Sequence, residues 1–357
     1  MNKKAVIAMS GGVDSSVAAF LTKSQGYDCI GATMKLFHNE DACIPREKSC
    51  CSLEDVEDAR NVAHSLGIPY YVFNFTDRFR EDVIERFVNA YETGATPNPC
   101  IDCNRYLKFE KLFLRAQELE FDYVVTGHYS RIEFNEVSGR YLLKKALDET
   151  KDQSYVLYSM TQEQLTHTLF PLGALRKTEV RQIAEQYGFV NAKKHDSQDI
   201  CFVQSGTYAD FIKQYTGRDY PHGEFVLKNG TVLGKHKGII NYTVEQRKGL
   251  GIAYEEPLYV TGINAADNTV ILGTGSDLYS KTLTANNINL ISVNSIEKPT
   301  RIKAKVRYRQ TEQAATVIQV DDDLIKVEFD EPQRAITKGQ AVVLYDGDTV
   351  LGGGTIQ

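Results

Sequence analysis

The sequence predicts an α/β fold: a parallel sheet with helices on both faces, then a small mixed α+β domain and a C-terminal all-β barrel or sandwich. Over roughly the first 200 residues, apolar runs with strand character alternate with helical patterns, as in strands joined by crossover helices. After about Phe202 turn signals such as Lys228-Asn-Gly230 recur, and β-branched residues alternate with polar ones. We therefore expect three domains, residues 1–203, 204–280 and 281–357.

The elements follow in chain order. The apolar run Ala5–Met9 predicts a buried strand, and Val17–Leu21 predicts part of a helix. Periodicity, capping patterns and Gly stops place the later elements, and residues 36–51 predict a long loop. The later strands are Tyr27–Lys35, Tyr70–Phe75 and Tyr123–Thr126, and the later helical stretches are Ser52–Leu66, Asp77–Tyr91, Arg105–Leu119, Ser154–Tyr187 and Tyr208–Tyr215.

Composition favours a cytoplasmic globular protein. The 357 residues are 42% hydrophobic and 25% charged, and no apolar run approaches the length of a membrane span. Met1-Asn-Lys-Lys leads directly into an apolar strand of about six residues, which is too short for the core of a signal peptide. Seven cysteines without framework spacing fit a reducing compartment. The net charge of −6 gives no global sign of a nucleic-acid partner, so any such sign must be local.

The loop Ser10-Gly-Gly-Val-Asp-Ser-Ser16 lies between the first strand and its helix. Backbone N–H groups and a helix N-terminus at such a turn can hold an anion. The glycine spacing is shorter than in a P-loop and no lysine follows, which favours pyrophosphate over a terminal phosphoryl group. The alternative is a turn that only packs the helix on the sheet. Because ligands of parallel sheets bind beyond the strand ends, we expect Ser10, Met34, Thr126 and Gly127 to converge.

Three cysteines stand out. Cys100 and Cys103 follow Thr96-Pro-Asn-Pro99, so they lie on a rigid loop or at the start of the next helix, and Cys201 is distant in sequence. A helix N-terminus can depress the pKa of a thiol there. The pattern leaves open a metal half-site, a redox pair, or a nucleophile with a sulfur carrier. Cys29 is expected to be buried, and the roles of Cys43, Cys50 and Cys51 stay undecided.

A basic segment marks the last domain. Arg301–Arg309 carries five cations at alternate positions, which in a strand would project from one face. The opposite face would hold Ile302, Ala304, Val306 and Tyr308. A solvated sheet face is the alternative, but the segment has no acidic residue before Glu312, which favours contact with nucleic-acid phosphates.

The loop resembles the SGGxDS loop of the ATP pyrophosphatases, and the chain resembles the tRNA 2-thiouridylases along nearly its whole length. The strings that carry this resemblance are Ala8-Met-Ser-Gly-Gly-Val-Asp-Ser-Ser16, Met34-Lys35, Thr96-Pro-Asn-Pro99 with Cys103-Asn104, Gly127-His-Tyr129, Lys151-Asp-Gln-Ser-Tyr155, Asp196 to Cys201-Phe202, and Gln246-Arg-Lys-Gly-Leu-Gly251. The resemblance implies three domains: an ATP-pyrophosphatase domain, a small central domain and a C-terminal β-barrel. It also implies ATP-dependent conversion of the wobble uridine of certain tRNAs to 2-thiouridine, with ATP, Mg²⁺, tRNA and a sulfur-donor protein as cofactors and partners.

The resemblance also implies roles for individual residues. Cys103 and Cys201 would be catalytic, and Asn98, Pro99 and Cys100 would contact the target base. The ATP site would comprise Ala8, Met9, Ser10, Gly11, Gly12, Val13, Asp14, Ser15, Met34 and Gly127. The tRNA contacts would comprise His128, Lys151, Asp152, Gln153, Tyr308, Arg309 and Gln340.

Two positions depart from many relatives, which carry Asp in place of Cys100 and Gly where this chain has Glu245. The first departure leaves room for an alternative in which Cys100, Cys103 and Cys201 hold a [4Fe–4S] cluster. No other metal ligand is assigned. The rival functions are a different ATP pyrophosphatase, such as a nitrogen-transferring ligase, and a non-catalytic RNA-binding protein.

Overall fold

The computed structural model describes residues 3–37, 53–194, 200–203 and 206–357. A five-stranded parallel sheet lies at the centre of the first domain, with the strand order β3-β2-β1-β4-β7. Each strand pairs in parallel with its neighbours, which confirms the predicted crossover architecture. In chain order the first seven strands are β1 Lys4–Ala8, β2 Asp28–Lys35, β3 Tyr70–Asn74, β4 Tyr123–Val125, β5 Arg131–Asn135, β6 Arg140–Lys144 and β7 Thr168–Leu169.

Helices cover both faces of this sheet. Ala5 and Ile7 of β1 pack with the helices that include Val17 and Val180, whereas Val6 packs with Leu112 on the other face. This alternation follows from the two-residue period of a strand. In the described residues the helices are α1 Val13–Ser24, α2 Leu53–Ser65, α3 (Thr76–Phe79, Arg80–Ile84 and Glu85–Glu92 in succession), α4 (Pro99–Asp102, Cys103–Lys111 and Leu112–Glu118 in succession), α5 Gln162–Thr166, α6 Lys177–Gln186 and α7 Tyr208–Thr216.

Wider π-helical turns occupy the middle of two helices, at Arg80–Ile84 in α3 and at Cys103–Lys111 in α4. Such turns often occur at functional sites. No helix in the described part of the chain is long and apolar enough to cross a bilayer.

The second domain is a four-stranded sheet of order β10-β11-β8-β9. Phe225, Val270 and Leu272 from this sheet share one core cluster with Phe87 of α3 and Phe211 of α7. This shared core fixes the second domain on the first. Its strands are β8 Gly223–Leu227, β9 Val232–His236, β10 Tyr259–Asn264 and β11 Thr269–Gly273.

The third domain is a closed six-stranded antiparallel barrel. Its strands follow the order β12-β15-β14-β13-β16-β17, and pairing of β12 with β17 closes the ring. The β5–β6 hairpin of the first domain joins the same sheet, because Lys144 of β6 pairs with Thr349 of β17. The barrel strands are β12 Tyr279–Leu290, β13 Thr300–Lys305, β14 Gln313–Asp321, β15 Leu324–Arg334, β16 Ala341–Asp346 and β17 Thr349–Ile356.

Two expected elements are wrong. The stretch from Ser154 to Tyr187 is not one helical region, because the edge strand β7 lies inside it. Beyond β7, a Cβ at Gly173 would lie 1.8 Å from the Ser130 carbonyl oxygen, so the backbone passes close to another segment there. The basic strand expected over Arg301–Arg309 ends at Lys305, and a turn follows.

Glu245 links the second domain to the barrel. Its carboxylate accepts hydrogen bonds from Arg307 Nη1 at 2.5 Å and from Arg334 Nε at 2.6 Å. Burial opposes ionisation of this carboxyl, but the two arginines outweigh it and hold the pKa of Glu245 below its usual value. The φ of Glu245 is 78°, a conformation that favours glycine, so the interaction is made at a strained position.

We expect Glu245→Gln to lower the free energy of unfolding at pH 7 by about 1 kcal/mol, because the ion pairs are about one-third exposed. The depressed pKa means that this stabilisation is present above pH 4.5 and is lost as the pH falls through the folded-state pKa. Urea unfolding at pH 7 and at about pH 3.5 measures both effects. Glu255→Gln, in an exposed part of the same domain, is the control. An equal loss at both pH values would contradict the assignment.

Candidate active site

The Gly-rich loop wraps the N-terminus of α1. Gly11 has a φ of 73°, and a Cβ there would lie 2.3 Å from the Asp55 carbonyl oxygen, so only glycine fits. Gly12 caps the helix, and the Ser15 hydroxyl donates to its carbonyl at 2.9 Å. The Ser10 backbone N–H donates to the same hydroxyl at 3.2 Å. The turn is therefore closed by its own side chains and presents the first backbone N–H groups of α1 at the sheet edge.

The end of β4 lies against this loop. A Cβ at Gly127 would lie 2.8 Å from the Asp14 carbonyl carbon and 2.9 Å from the Ser15 nitrogen. Gly127 is therefore required for the close approach of β4 to α1. Ala8 and Met34 are half-buried and pack in one cluster at the ends of β1 and β2.

The two apolar residues that flank the glycines support the loop from below. Met9 is buried, its N–H donates to Ala32, and its carbonyl accepts from the Thr33 hydroxyl. Val13 is also buried. Neither side chain faces outward, so any ATP contact of these two residues rests on their backbone.

Asp14, in the first turn of α1, is held by two residues that sequence reasoning did not assign to the site. Both of its carboxylate oxygens lie 2.7 Å from Lys177 Nζ, and the Tyr129 hydroxyl donates to it at 2.8 Å. Tyr129 belongs to the Gly127-His-Tyr129 string, which is a usable sequence signal. Lys177 is 163 positions from Asp14, and no local pattern marks it.

Asn191 is a third residue that sequence reasoning missed. Its amide nitrogen donates to the Gly11 carbonyl and to the Ser16 hydroxyl, both at 2.9 Å. Its side-chain oxygen is buried and has no hydrogen-bond partner in the described part of the chain. Asn191 thus links the Gly-rich loop to the first turn of α1.

Cys100 and Cys103 lie in the first turns of α4, the second of the two expected placements. Asn98 caps this helix by accepting from the Cys100 N–H at 3.2 Å, and Pro99 occupies its first position. Cys103 is half-buried and packs on a cluster that contains Phe202, the residue after Cys201. Cys201 is exposed. The two predicted catalytic thiols therefore belong to neighbouring parts of one domain.

The charge environment of these cysteines differs from the expectation. Although part of Cys100 reaches the surface, the surrounding protein raises the pKa of its thiol, and Lys108 only partly offsets this effect. For Cys100 this rise is opposite in direction to the depression that a helix N-terminus can produce. Burial also raises the pKa of Asp102, between the two cysteines, to about 6, against the opposing charges of Arg86 and Arg105.

Cys29 is buried in the core, as expected, and burial raises the pKa of its thiol to about 11. Cys43, Cys50 and Cys51, and the segment 196–199 before Cys201, lie outside the described residues.

The barrel holds the loop that precedes Cys100. Gln340 Nε2 donates to the carbonyls of Thr96 at 2.8 Å and Pro97 at 3.2 Å. The Thr96 N–H donates in turn to the Lys338 carbonyl. Gln340, predicted to flank RNA, is therefore engaged in positioning the segment predicted to contact the target base.

Several predicted RNA-contacting residues are engaged inside the protein. Asp152 accepts from the Ala146 and Ser154 N–H groups, and its side chain is only 5% exposed. Gln153 accepts from the Tyr129 N–H. His128 is buried against Phe109 and Phe170, and burial lowers its pKa well below the usual value.

His128 Nδ1 lies within hydrogen-bond distance of the Thr126 hydroxyl, at 2.7 Å. The neutral, buried ring offers no accessible cation to RNA in this conformation. Lys151 is half-buried and is engaged in an interaction.

The basic segment does not present five cations on one face. Arg301 pairs with Asp330, Lys305 approaches Asp152 at 4.0 Å, and Arg307 pairs with Glu245. Acids from other elements thus neutralise three of the five, although the local sequence contains none. Lys303 and Arg309 are exposed, and neither has an ion-pair partner in the described part of the chain.

Tyr308 lies in the turn after β13 and is 36% exposed, instead of pointing into the barrel core as strict alternation predicts. Its ring packs 6.0 Å from that of Tyr155. Burial raises the pKa of its hydroxyl, and the charges of Asp152 and Cys100 add to this rise. Tyr308 therefore lies between the barrel and the Cys100 end of α4.

No group of three or more His, Cys, Asp or Glu side chains in the described ranges is arranged to hold a metal ion. Cys100, Cys103 and Cys201 all lie in those ranges and do not form such a group there, so the described residues do not show the site that the [4Fe–4S] alternative requires. For Mg²⁺, the loop offers the Asp14 carboxylate, which fits a cation that is bound mainly by substrate phosphates.

A parallel sheet with an anion-binding loop at the first strand-to-helix turn defines a nucleotide-binding α/β protein. Three family descriptions match the chain: a tRNA methyl transferase HUP domain at residues 3–205, a tRNA methyl transferase PRC-barrel domain at 209–274, and an aminomethyltransferase β-barrel domain at 280–356.

Two curated relatives match over the full chain. The tRNA-specific 2-thiouridylase MnmA of Clostridioides difficile (strain 630) is 52% identical over 100% of this chain and 99% of that protein. The protein of that name from Clostridium acetobutylicum (strain ATCC 824) is 51% identical over 100% of both. The chain therefore belongs to the family of tRNA-specific 2-thiouridylases.

Among solved structures, a 4-thiouridine synthetase–RNA complex with bound ATP is 17% identical over 60% of this chain and 50% of that chain, with a TM-score of 0.34.

Because burial raises its pKa, Cys100 will be alkylated by iodoacetamide more slowly than N-acetylcysteine at pH 8. Its rate will still be rising above pH 9, the ordinary thiol value, since only the thiolate reacts. Tandem mass spectrometry of the tryptic peptide 87–105 after timed quenching measures this rate, because its fragments distinguish Cys100 from Cys103. A rate that levels off below pH 8 would show that the helix N-terminus dominates instead.

Proposed function

We propose that the protein uses ATP to convert the wobble uridine of tRNA to 2-thiouridine, through an adenylated base and a cysteine persulfide. The observation that carries the proposal is a closed anion loop in the same domain as a helix bearing Cys100 and Cys103. This occurs in a chain 52% identical to a protein named a tRNA-specific 2-thiouridylase. The enzyme would work in the cytoplasm, where its thiols stay reduced.

In the first step the C2 oxygen of uridine attacks the α-phosphate of ATP. Pyrophosphate leaves, and the oxygen becomes part of an adenylate that can depart as AMP. The N–H groups at the start of α1 would bind the pyrophosphate. Ala8, Met34 and Gly127 would line the nucleoside. Mg²⁺ bound with the nucleotide, near Asp14, would offset the negative charge of the phosphates.

In the second step sulfur replaces the activated oxygen. The exposed Cys201 would accept a persulfide sulfur from a donor protein, since a surface thiol is accessible to a partner. The terminal sulfur attacks C2 and displaces AMP. The half-buried Cys103 then attacks Cys201, which releases 2-thiouridine and leaves a Cys103–Cys201 disulfide for an external thiol to reduce. Alternatively, Cys103 attacks the persulfide first and releases sulfide as the nucleophile, with the same disulfide formed.

The target base must leave the anticodon stack to reach these groups. Asn98, Pro99 and Cys100 would contact it, because the cap and the barrel both rigidify this segment. The exposed Tyr308 would stack on a base or ribose of the RNA, and the exposed Arg309 would pair with a backbone phosphate.

Release of AMP and pyrophosphate from ATP, with and without tRNA, tests the proposal. We expect tRNA-dependent AMP formation and 2-thiouridine in the digested tRNA when a persulfide donor is present. Replacing Asp14 and Ser15 by Ala should remove both products while the fold persists. Formation of ADP would contradict the proposal. AMP formation at the same rate with and without tRNA would indicate a ligase that acts on a small molecule.

The cysteine roles give a sharper expectation. Cys103→Ser and Cys201→Ser should each abolish 2-thiouridine, because each removes a group that handles sulfur, while adenylation continues for at least one turnover. Cys29→Ala, which changes a core thiol far from the loop, is the control. Full thiolation by either catalytic-site variant would refute the assignment.

The cations of the basic segment fall into two groups: those that pair with an acid of the protein, such as Arg301, and those that do not in the described part of the chain, Lys303 and Arg309. Arg309→Ala and Lys303→Ala should weaken tRNA binding and reduce the salt slope by up to about one per contact. Arg301→Ala is the matched control, because Asp330 already neutralises Arg301. Filter binding at two salt concentrations measures the effect, and equal behaviour of the three variants would place the RNA path elsewhere.

A further inference from the structure

We infer that a basic cavity between α3 and the barrel, lined by Arg86 and Lys338, binds a backbone phosphate of the tRNA close to the target uridine. The inference rests on the proposed function, because it requires the wobble uridine of a tRNA to reach α4. It adds a phosphate contact made by two cations that the sequence did not mark as RNA-contacting.

The basic cavity lies where the last part of α3 meets the end of the barrel. Its volume is about 250 Å³. Arg86, Asn89 and Thr93 line it on the side of α3, and Lys338 and Thr355 line it on the side of the barrel. Arg86, Asn89, Thr93 and Lys338 are exposed, so a ligand can enter from solvent. The space accepts a phosphate group with its ribose.

The charge of this cavity favours an anion. Arg86 and Lys338 are the only charged side chains among the described residues that line it. Neither cation has an ion-pair partner within residues 3–37, 53–194, 200–203 and 206–357. By contrast, Arg301 and Arg307 each pair with an acid from another element. A phosphate in the cavity would therefore meet two cations that no described carboxylate neutralises.

Arg86 connects the cavity to α4. Its guanidinium carbon lies 4.5 Å from the centre of the Tyr106 ring. A stacked guanidinium still presents N–H donors at its edge, and their fork matches the oxygens of a phosphate. The charge of Arg86 also reaches Asp102, where it opposes the rise that burial causes in the pKa of that carboxyl. Arg86 thus lies beside the turn of α4 between Cys100 and Cys103.

Lys338 connects the cavity to the segment proposed to contact the target base. Its carbonyl accepts from the Thr96 N–H at 2.8 Å. Gly339 has a φ of 88°, and a Cβ there would lie 3.0 Å from the Cβ of Ala95, which also lines the cavity. Ala95 is separated from Pro99 by at most about 14 Å of extended chain. A phosphate in the cavity would therefore lie close to a base held at Pro99.

The chemistry of base extrusion gives this contact a role. An extruded nucleotide turns about its own backbone, so the adjoining phosphates have to be held while the base moves. Phosphate contacts fix the position of a nucleic acid without reading its sequence. The basic cavity would hold the backbone while the wobble uridine turns toward Cys103. A simple packing gap between domains is the alternative, and it does not account for two cations without acids.

The test measures binding of tRNA to wild type, Lys338→Gln, Arg86→Gln and the double variant. The tRNA is used unmodified and with each anticodon-loop phosphate replaced in turn by a neutral methylphosphonate. Filter binding at two salt concentrations gives the affinity and the salt slope. The controls are Lys326→Gln, an exposed lysine on β15, and Arg78→Gln in α3, where Glu81 already pairs with the arginine.

We expect each single variant to bind unmodified tRNA about three- to tenfold more weakly, since one charge-assisted contact is lost. The salt slope of the double variant should fall by up to about one, the value for one phosphate. Neutralising one anticodon-loop phosphate should weaken wild type by a similar factor and leave the double variant unchanged, and both controls should match wild type.

Unchanged tRNA affinity in the double variant would overturn the inference, as would a loss that adds fully to that of every methylphosphonate. Thermal melting checks folding. Lys338→Gln keeps the test decisive if Arg86→Gln is unfolded, because the Lys338 side chain makes no hydrogen bond or ion pair with the described residues.

Calorimetry with inorganic phosphate alone distinguishes a site for a free anion from a site for RNA. Phosphate binding that is lost in the double variant, with tRNA affinity unchanged, would overturn the inference in favour of a free anion. Wild type that does not bind tRNA would refute the proposed function, whereas tight wild-type binding that ignores both cavity variants would refute the inference alone.

Discussion

The close contact between the end of β4 and the N-terminus of α1 is the constraint on which the rest of the site depends. Gly127 permits it, because any side chain there would collide with the backbone of Asp14 and Ser15. The contact places Tyr129, two residues on, within hydrogen-bond distance of Asp14, and Gln153 then holds the Tyr129 backbone. The absence of a side chain at Gly127 therefore allows the loop, the end of β4 and the segment after β4 to pack together.

Much of this arrangement could be predicted from local sequence. The apolar run of β1, the two glycines and the two prolines before Cys100 each act over a few residues, and the structure confirms the strand, the turn and the helix start that they indicate. The convergence of loop and β4 also follows, because parallel strands end at one edge. Lys177 and Asn191 could not be predicted, since their partners lie more than 160 residues away and no periodicity encodes such contacts.

The basic segment shows why charge patterns in one stretch can mislead. Alternation of cations predicts one uniform face, yet the strand ends at Lys305 and acids from three other elements meet Arg301, Lys305 and Arg307. A sequence window cannot reveal these acids, because Asp152, Glu245 and Asp330 come from different domains or strands. The exposure of Tyr308 has the same origin: the turn after β13, not alternation, sets its direction.

The attachment of the β5–β6 hairpin to β17 has a consequence for synthesis on the ribosome. Thr349, the strand partner of Lys144, and Gln340, which holds the Thr96-Pro97 loop, are each synthesised more than 200 residues after the segment that they support. The Tyr155 hydroxyl likewise awaits the Ala341 carbonyl. The nucleotide loop can therefore form early during translation, whereas the segment around the cysteines gains its final support only when residues 338–356 have emerged. A nascent chain would thus complete the nucleotide loop and the segment around the cysteines at different times.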